Sequence, residues 1–310
     1  MKLIKKIIKL LFGIFIFLLG LIIVINIAKY PLYKDYRASM KKEFKIPGLS
    51  DDFIPQALTY NDLYDTYFVS GYDKKTGAGI VYSGKDNKFK KIEILDDNAN
   101  LKAHCGGIAS YDDYVWVSDD SNKGSIYILN TNDLINASDS VEIKEKFIAS
   151  SDGASIGFYD NKIYVGEFYR KGNYETKSEH YYKENHSMVS VYEYKSDSIT
   201  GFGDLVSYIS IPDQAQGIAI NGDVSYVSMS YGLNNSHLNS YNIIKTNDTL
   251  DGVSISYVGK ESLVKKYKLP PMSEGIIYKD DRIYVLYESA SNKYLFGKLY
   301  FQNYVESIKA

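Results

Sequence analysis

Five times along the chain one short pattern returns, and a chain that repeats itself must fold as repeated units. The segments "PQALTY" (55–60), "CGGIAS" (105–110), "GASIGF" (153–158), "AQGIAI" (215–220) and "SEGIIY" (273–278) align without gaps. Each runs through a turn into a β-rich stretch: "TYFVSGYD", "DYVWVSDD", "KIYVGEFY", "SYVSMSYG" and "RIYVLYES". Eleven positions separate Gly106 from Val117, and the spacing recurs from Ala154 to Val165, Gln216 to Val227 and Glu274 to Val285. Only the first copy, Gln56 to Val69, is two residues longer. Apolar positions alternate within each copy and the turns carry Asn, Asp and Gly, the signature of hairpins. Tyrosine fills 31 of 310 positions, which favours strands further.

A third strand is expected at 78–84, 124–130, 188–194, 238–245 and 293–301, and a fourth at 88–95, 142–149, 204–211 and 262–269. Four antiparallel strands in units of about fifty residues, repeated radially, describe the blade of a β-propeller. The fifth unit has three strands before the chain ends, while "EFKIPG" precedes the first unit with no blade of its own. Residues 43–48 are therefore expected to complete the last blade, so that mixing the termini leaves no open sheet edge. The fold class is all-β, a five-bladed β-propeller spanning residues 43–310.

The N-terminus is of another kind. Lys2, Lys5, Lys6 and Lys9 precede nineteen uncharged residues, 10–28, and Lys29 ends the run. At about 1.5 Å per residue this stretch reaches roughly 28 Å, near the hydrocarbon thickness of a bilayer. Lysines on the short N-terminal side favour a cytoplasmic N-terminus and an exported remainder. A cleaved signal peptide is the competing reading; the apolar run is long for one, and Asn26-Ile27-Ala28 is a poor cleavage site. Residues 1–29 are thus expected to be the cytoplasmic lysines and a single membrane anchor, and 30–42 a stalk. Without the five lysines of residues 1–29 the formal charge falls from −2 to about −7, so nothing points to nucleic acid. The single cysteine, Cys105, excludes an internal disulfide.

The repeated "PQA/AQG/SEG" motif with its β-rich partner eleven residues on resembles bacterial secreted or membrane-anchored β-propeller proteins. The resemblance implies a fold and an exported, cell-surface location; it names no reaction, because propellers host many.

The leading position of each innermost strand and the one two residues before it are expected to converge at one mouth of the central channel. They offer Gln56, His104, Asp152, Gln216 and Glu274, a set that differs from blade to blade. Glu167 and Glu288 end second strands near the same mouth. The loops between second and third strands share that face, and the longest, 168–187, holds four tyrosines, Tyr174 among them, with His180 and His186; His237 falls in the blade IV loop. Asp152, Glu167, Glu274 and Glu288 are four carboxylates in reach of one another on this reading. Glu274 and Asp152 as acid and base, assisted by His104, would suit a hydrolase, lactonase or lyase. The same carboxylates would suit Ca²⁺, distantly like gluconolactonase and regucalcin-type propellers. Otherwise no cofactor is evident: phosphate loop, nucleophile elbow and zinc helix are all missing. Asp119-Asp120 and Asp280-Asp281 read as turn residues. The leading expectation is a membrane-anchored recognition module whose Tyr-rich loop face binds a glycan, a cell-wall fragment or a protein.

Overall fold

A computed structural model describes residues 2–310, apart from the side chains of residues 25, 26, 28 and 30. Alternating apolar residues and Asn/Asp/Gly turns give five antiparallel meanders around a common axis, innermost strand first. Blade I holds Phe53–Asn61, Thr66–Asp73, Gly79–Lys85 and Lys88–Asp96; blade II holds Gly107–Tyr111, Tyr114–Asp119, Ser125–Asn130 and Glu145–Ile148. Blade III holds Ser155–Tyr159, Lys162–Gly166, Ser187–Tyr194 and Phe202–Ile211; blade IV holds Ala215–Asn221, Val224–Met229, Ser236–Asn242 and Leu263–Leu269. Blade V holds Ser273–Lys279, Arg282–Tyr287 and Tyr304–Lys309, with Lys41–Lys45 outermost. Each innermost strand packs beside the next, and that of blade V returns to that of blade I, so the ring is closed.

The closing strand pairs antiparallel with Tyr304–Lys309, Lys45 opposite Tyr304 and Lys41 opposite Ser307. Phe44 and Ile46 are buried. The Phe44 ring packs 4.7 Å from that of Tyr67 and 5.2 Å from that of Phe89, which ties blade V to blade I. Five inner strands fit around so small an axis only where side chains are small. A Cβ on Gly275 would stand 2.7 Å from Ala57 Cα, and one on Gly217 would stand 2.9 Å from Gly275 Cα. The aligned positions Ala57, Gly107, Ser155, Gly217 and Gly275 are all small for this reason.

The third strand of blade V is Tyr304–Lys309, not the expected 293–301, where a loop closes in a 3₁₀ turn, Gly297–Tyr300. Burial explains the error: Val305 and Ile308 reach the core, whereas Leu295 and Phe296 face outward. Two further features extend the sheets. A hairpin, Ile244–Leu250 and Val253–Tyr257, lies parallel along the outer edge of blade III, and Ser140–Glu142 does the same for blade I. Both cover edges that would otherwise offer unpaired backbone groups.

The N-terminal helix, Lys2–Lys29, is apolar and long enough to cross a membrane. After it, Tyr30–Tyr33 make a 3₁₀ turn and Lys34–Ser39 a short helix that packs on the outermost strand of blade IV and the third strand of blade V. Tyr33 and Tyr36 are buried there. Tyr36 Oη donates to Glu306 Oε2 at 3.0 Å and accepts from Tyr287 Oη at 2.9 Å.

Candidate functional site

Three blades begin their innermost strand with a β-bulge. The register slips between Pro55 and Ala57, between Ala215 and Gly217, and between Ser273 and Ile276. Gln56, Gln216 and Glu274 stand in these bulges, on blades I, IV and V, which are neighbours around the ring. A bulge leaves its extra residue out of the ladder and re-aims its side chain. Blades II and III have no such slip, and Gly106 and Ala154 take the position. The turns differ to match: the left-handed residue is Gln214 or Met272 in blades IV and V but Cys105 or Gly153, one position later, in blades II and III.

At the mouth of this sector two carboxyl groups meet. Glu274 is buried and its carboxyl is in hydrogen-bonding contact with that of Glu288. Burial, then the charge of Glu288, drives the Glu274 pKa well above the ordinary carboxylate range against the opposing pull of Lys293. Burial raises Glu288 as well, less far, because Tyr294, Lys293, Gln56 and His104 favour its ionised form. Two carboxylates this close cannot both ionise at low cost, which favours one shared proton over two full charges. Gln56 Nε2 donates to Glu288 Oε2 at 3.0 Å and to its neighbour's carbonyl, Pro55 O, at 2.9 Å. Lys293 Nζ donates to Tyr72 Oη at 2.6 Å. His104 packs its ring 4.9 Å from that of Tyr72, and its Nδ1 donates to Asp120 Oδ1 at 2.8 Å. Burial pulls the His104 pKa down, but the hydrogen bond and charge of Asp120, with Glu288 behind, carry it above the usual histidine value.

The remaining expected residues fall elsewhere. Asp152 pairs with Lys123 at 3.2 Å and lines, with Asp120 and Tyr174, an adjoining hollow of about 120 Å³ between blades II and III. The carboxyl in contact with Glu274 is that of Glu288, rather than Asp152. Glu167 is fully buried; its Oε1 accepts from His180 Nδ1 at 2.7 Å and its Oε2 from Met188 N at 3.0 Å. That pair pins the long loop 168–187 to its blade instead of facing the mouth. His186 stacks on Tyr169 and bonds Asp213 at 2.9 Å. His237 is a residue of the strand Ser236–Asn242, opposite Met229 and Lys268, and not part of a loop. Burial and the charges of Lys266 and Lys268 lower its pKa. The four carboxylates therefore do not gather.

Four contributors escaped the sequence reading. Tyr72 belongs to the second strand of blade I, whereas Lys293 and Tyr294 come from the loop after the second strand of blade V, inside a stretch expected to be a strand. Asp120 read as a turn residue; the pair does make a turn, with Asp119 Oδ1 accepting from Ser121 N, yet Asp120 also holds His104. No motif in the sequence marks the far end of the channel. It opens as a cavity of about 290 Å³ whose lining includes Tyr60, Tyr111, Phe158, Tyr159 and Tyr278.

No protein-family model matches the sequence, and no curated protein matches it. Among solved structures it is similar to the hydrazine synthase of Kuenenia stuttgartiensis, at 10% identity and TM-score 0.41, over 79% of this chain and 57% of that one. BamB from Moraxella catarrhalis gives 10% identity and TM-score 0.39 over 84% of each chain. The WD40 β-propeller domain of Doa1 gives 9% and 0.39 over 80% of this chain and 66% of the other. Overlays this loose carry no argument about activity, and the fold stands on the strand pairing of the chain itself.

Proposed function

We propose that the protein is a membrane-anchored, extracytoplasmic recognition module that binds a glycan at the Glu274–Glu288 mouth. The observation that carries the reading is the convergence of Gln56, Glu274, Glu288, Lys293 and Tyr72 in one sector. One shared proton on the carboxyl pair and one lysine leave the sector close to neutral, which disfavours a strongly charged ligand. Dense donors and acceptors between two tyrosine rings suit a polyhydroxylated one. The hollow beside Asp152 and Tyr174 continues the surface, enough for more than one sugar unit. Titrating the full chain in detergent with cell-wall glycan fragments checks this. Glu288→Ala and Lys293→Ala should each weaken binding about tenfold or more, as loss of a charged hydrogen-bonding group does. Lys279→Ala at the opposite mouth should leave it unchanged. Equal affinity in all three variants would sink the reading, as would binding of protein partners alone.

A second reading rests on the same carboxyl pair. A protonated carboxyl beside an ionised one is an acid–base couple, as a hydrolase, lactonase or lyase would need. Glycosidases hold their carboxyls about 5 Å or more apart, and direct contact between Glu274 and Glu288 disfavours that chemistry. A Ca²⁺ site fits poorly. Among the described residues no three His, Cys, Asp or Glu side chains gather to hold a metal, and Lys293 already opposes the pair. Loss of turnover in Glu274→Gln, with ligand still bound, is the outcome that would favour an enzyme.

A further inference from the structure

The N-terminal helix leaves the propeller on the face that bears the mouth. Its last residue, Lys29, places Nζ 3.8 Å from the centre of the Tyr300 ring. Four residues later Tyr33 Oη donates to Asn235 Oδ1 at 2.7 Å. Both contacts reach loops between second and third strands, in blades V and IV, and those loops surround the mouth.

The blade V loop, 288–303, has two aspects. Inward it supplies Lys293 and Tyr294 to the carboxyl pair. Outward it exposes Leu295 (76%), Phe296 (64%) and Phe301 (59%) within seven residues. Leu233 on the blade IV loop is exposed as well. Exposed apolar residues scattered singly are ordinary, as Leu63 and Ile199 are in this protein; three large ones in a short loop mark a contact surface. Phe301 is also held at φ +55°, a conformation that bulky side chains avoid.

We infer that loop 288–303 is a membrane-docking surface. Leu295, Phe296 and Phe301 rest in the interfacial layer of the bilayer that receives the helix Lys2–Lys29, and the mouth is turned toward the lipid headgroups. The occupant is a phospholipid surface, because the loop touches the end of a helix able to cross a bilayer. Exposed Lys298 within the loop suits anionic headgroups, and the Tyr300 ring meets Lys29 at the end of the helix. The inference rests on the membrane-anchored reading above and adds an orientation: a ligand would reach the mouth from the membrane plane.

The test uses the full chain in vesicles of phosphatidylcholine and phosphatidylglycerol, with a polarity-sensitive fluorophore on one introduced cysteine at a time. Cys105 is fully buried and does not compete for the label. Four variants serve: Phe296→Cys and Phe301→Cys in the loop, Phe15→Cys in the helix, and Ile199→Cys in an exposed turn remote from the mouth. Docking predicts a blue shift, and quenching by lipids with spin-labelled acyl chains, at 296, 301 and 15 but not at 199. Quenching at 15 with none at 296 and 301 overturns the docking surface and leaves the anchor standing. No quenching at 15 overturns the anchor and the inference with it. Equal quenching at 199 shows nonspecific adsorption and overturns the orientation.

Discussion

At the scale of single residues the Glu274–Glu288 pair dominates the chemistry and also weakens the fold. A carboxyl whose folded pKa is raised binds a proton in the native state at pH values where the unfolded chain has released it. Its stability is fully present below the ordinary value of 4.5 and is lost as pH rises through the raised folded pKa. The protein is therefore expected to unfold more easily at pH 8 than at pH 5 from this source. Glu274→Gln should flatten that slope and stabilise the protein at neutral pH by about 1 kcal/mol, the usual gain when a strained functional group is removed. Thermal unfolding across the pH range checks both; an unchanged slope means the pair is not sharing a proton. Gly275 constrains the fold in a simpler way. Its replacement by alanine sets a methyl group against Ala57 Cα and should cost roughly 1–3 kcal/mol. Chemical denaturation measures that loss.

At the scale of elements the closing strand and the long loop behave differently. Lys41–Lys45 is held by a sheet ladder and by Phe44, so Phe44→Ala should lower stability by about 3–5 kcal/mol. It should also open residues 41–46 to protease before any other strand. If the strand stays protected, closure depends less on that ring than on the ladder. The loop 168–187 depends instead on one buried pair. Removing His180 leaves the buried Glu167 with only the Met188 amide as donor, and losing a buried hydrogen-bonding partner costs about 1–3 kcal/mol. Hydrogen exchange in His180→Ala should rise across the loop while the inner strands of blades I, IV and V stay protected. Uniform exchange throughout the loop in both proteins would show that the pair does not pin it.

At the scale of the whole molecule the placement of the helix matters most. The chain enters the propeller beside the mouth, descends past the buried Tyr36, and only then rises as the closing strand. The N-terminal helix, ring closure and the Glu274–Glu288 side of the candidate site therefore meet at blade V. A detached helix or an unzipped strand would disturb the loop that supplies Lys293 and Tyr294. Truncating residues 1–40 removes Tyr36 from Glu306 and Tyr287 and is expected to lower the melting temperature as well as membrane attachment. An unaltered melting temperature would show that residues 30–40 serve only as a tether.

The blade repeat, the number of blades and closure by the N-terminal segment were all legible in the residues. Strand alternation and turn chemistry are local properties, and a closed ring leaves few ways to arrange five copies. Gln56, Gln216 and Glu274 could also be singled out, because a gapless alignment exposes positions where the copies differ. Which groups meet them was decided only in three dimensions. The register slip that re-aims those three side chains depends on how each turn packs against the next blade, and the same spacing hides its absence in blades II and III. Glu167 aligns with Tyr287, one position short of Glu288, and that single step separates a carboxyl sealed beneath a loop from one that meets Glu274. Lys293, Tyr294 and the outward Phe296 lie in a stretch whose composition suits a strand equally well. Burial of Val305 and Ile308 selected the later segment and freed this one to form the wall of the mouth.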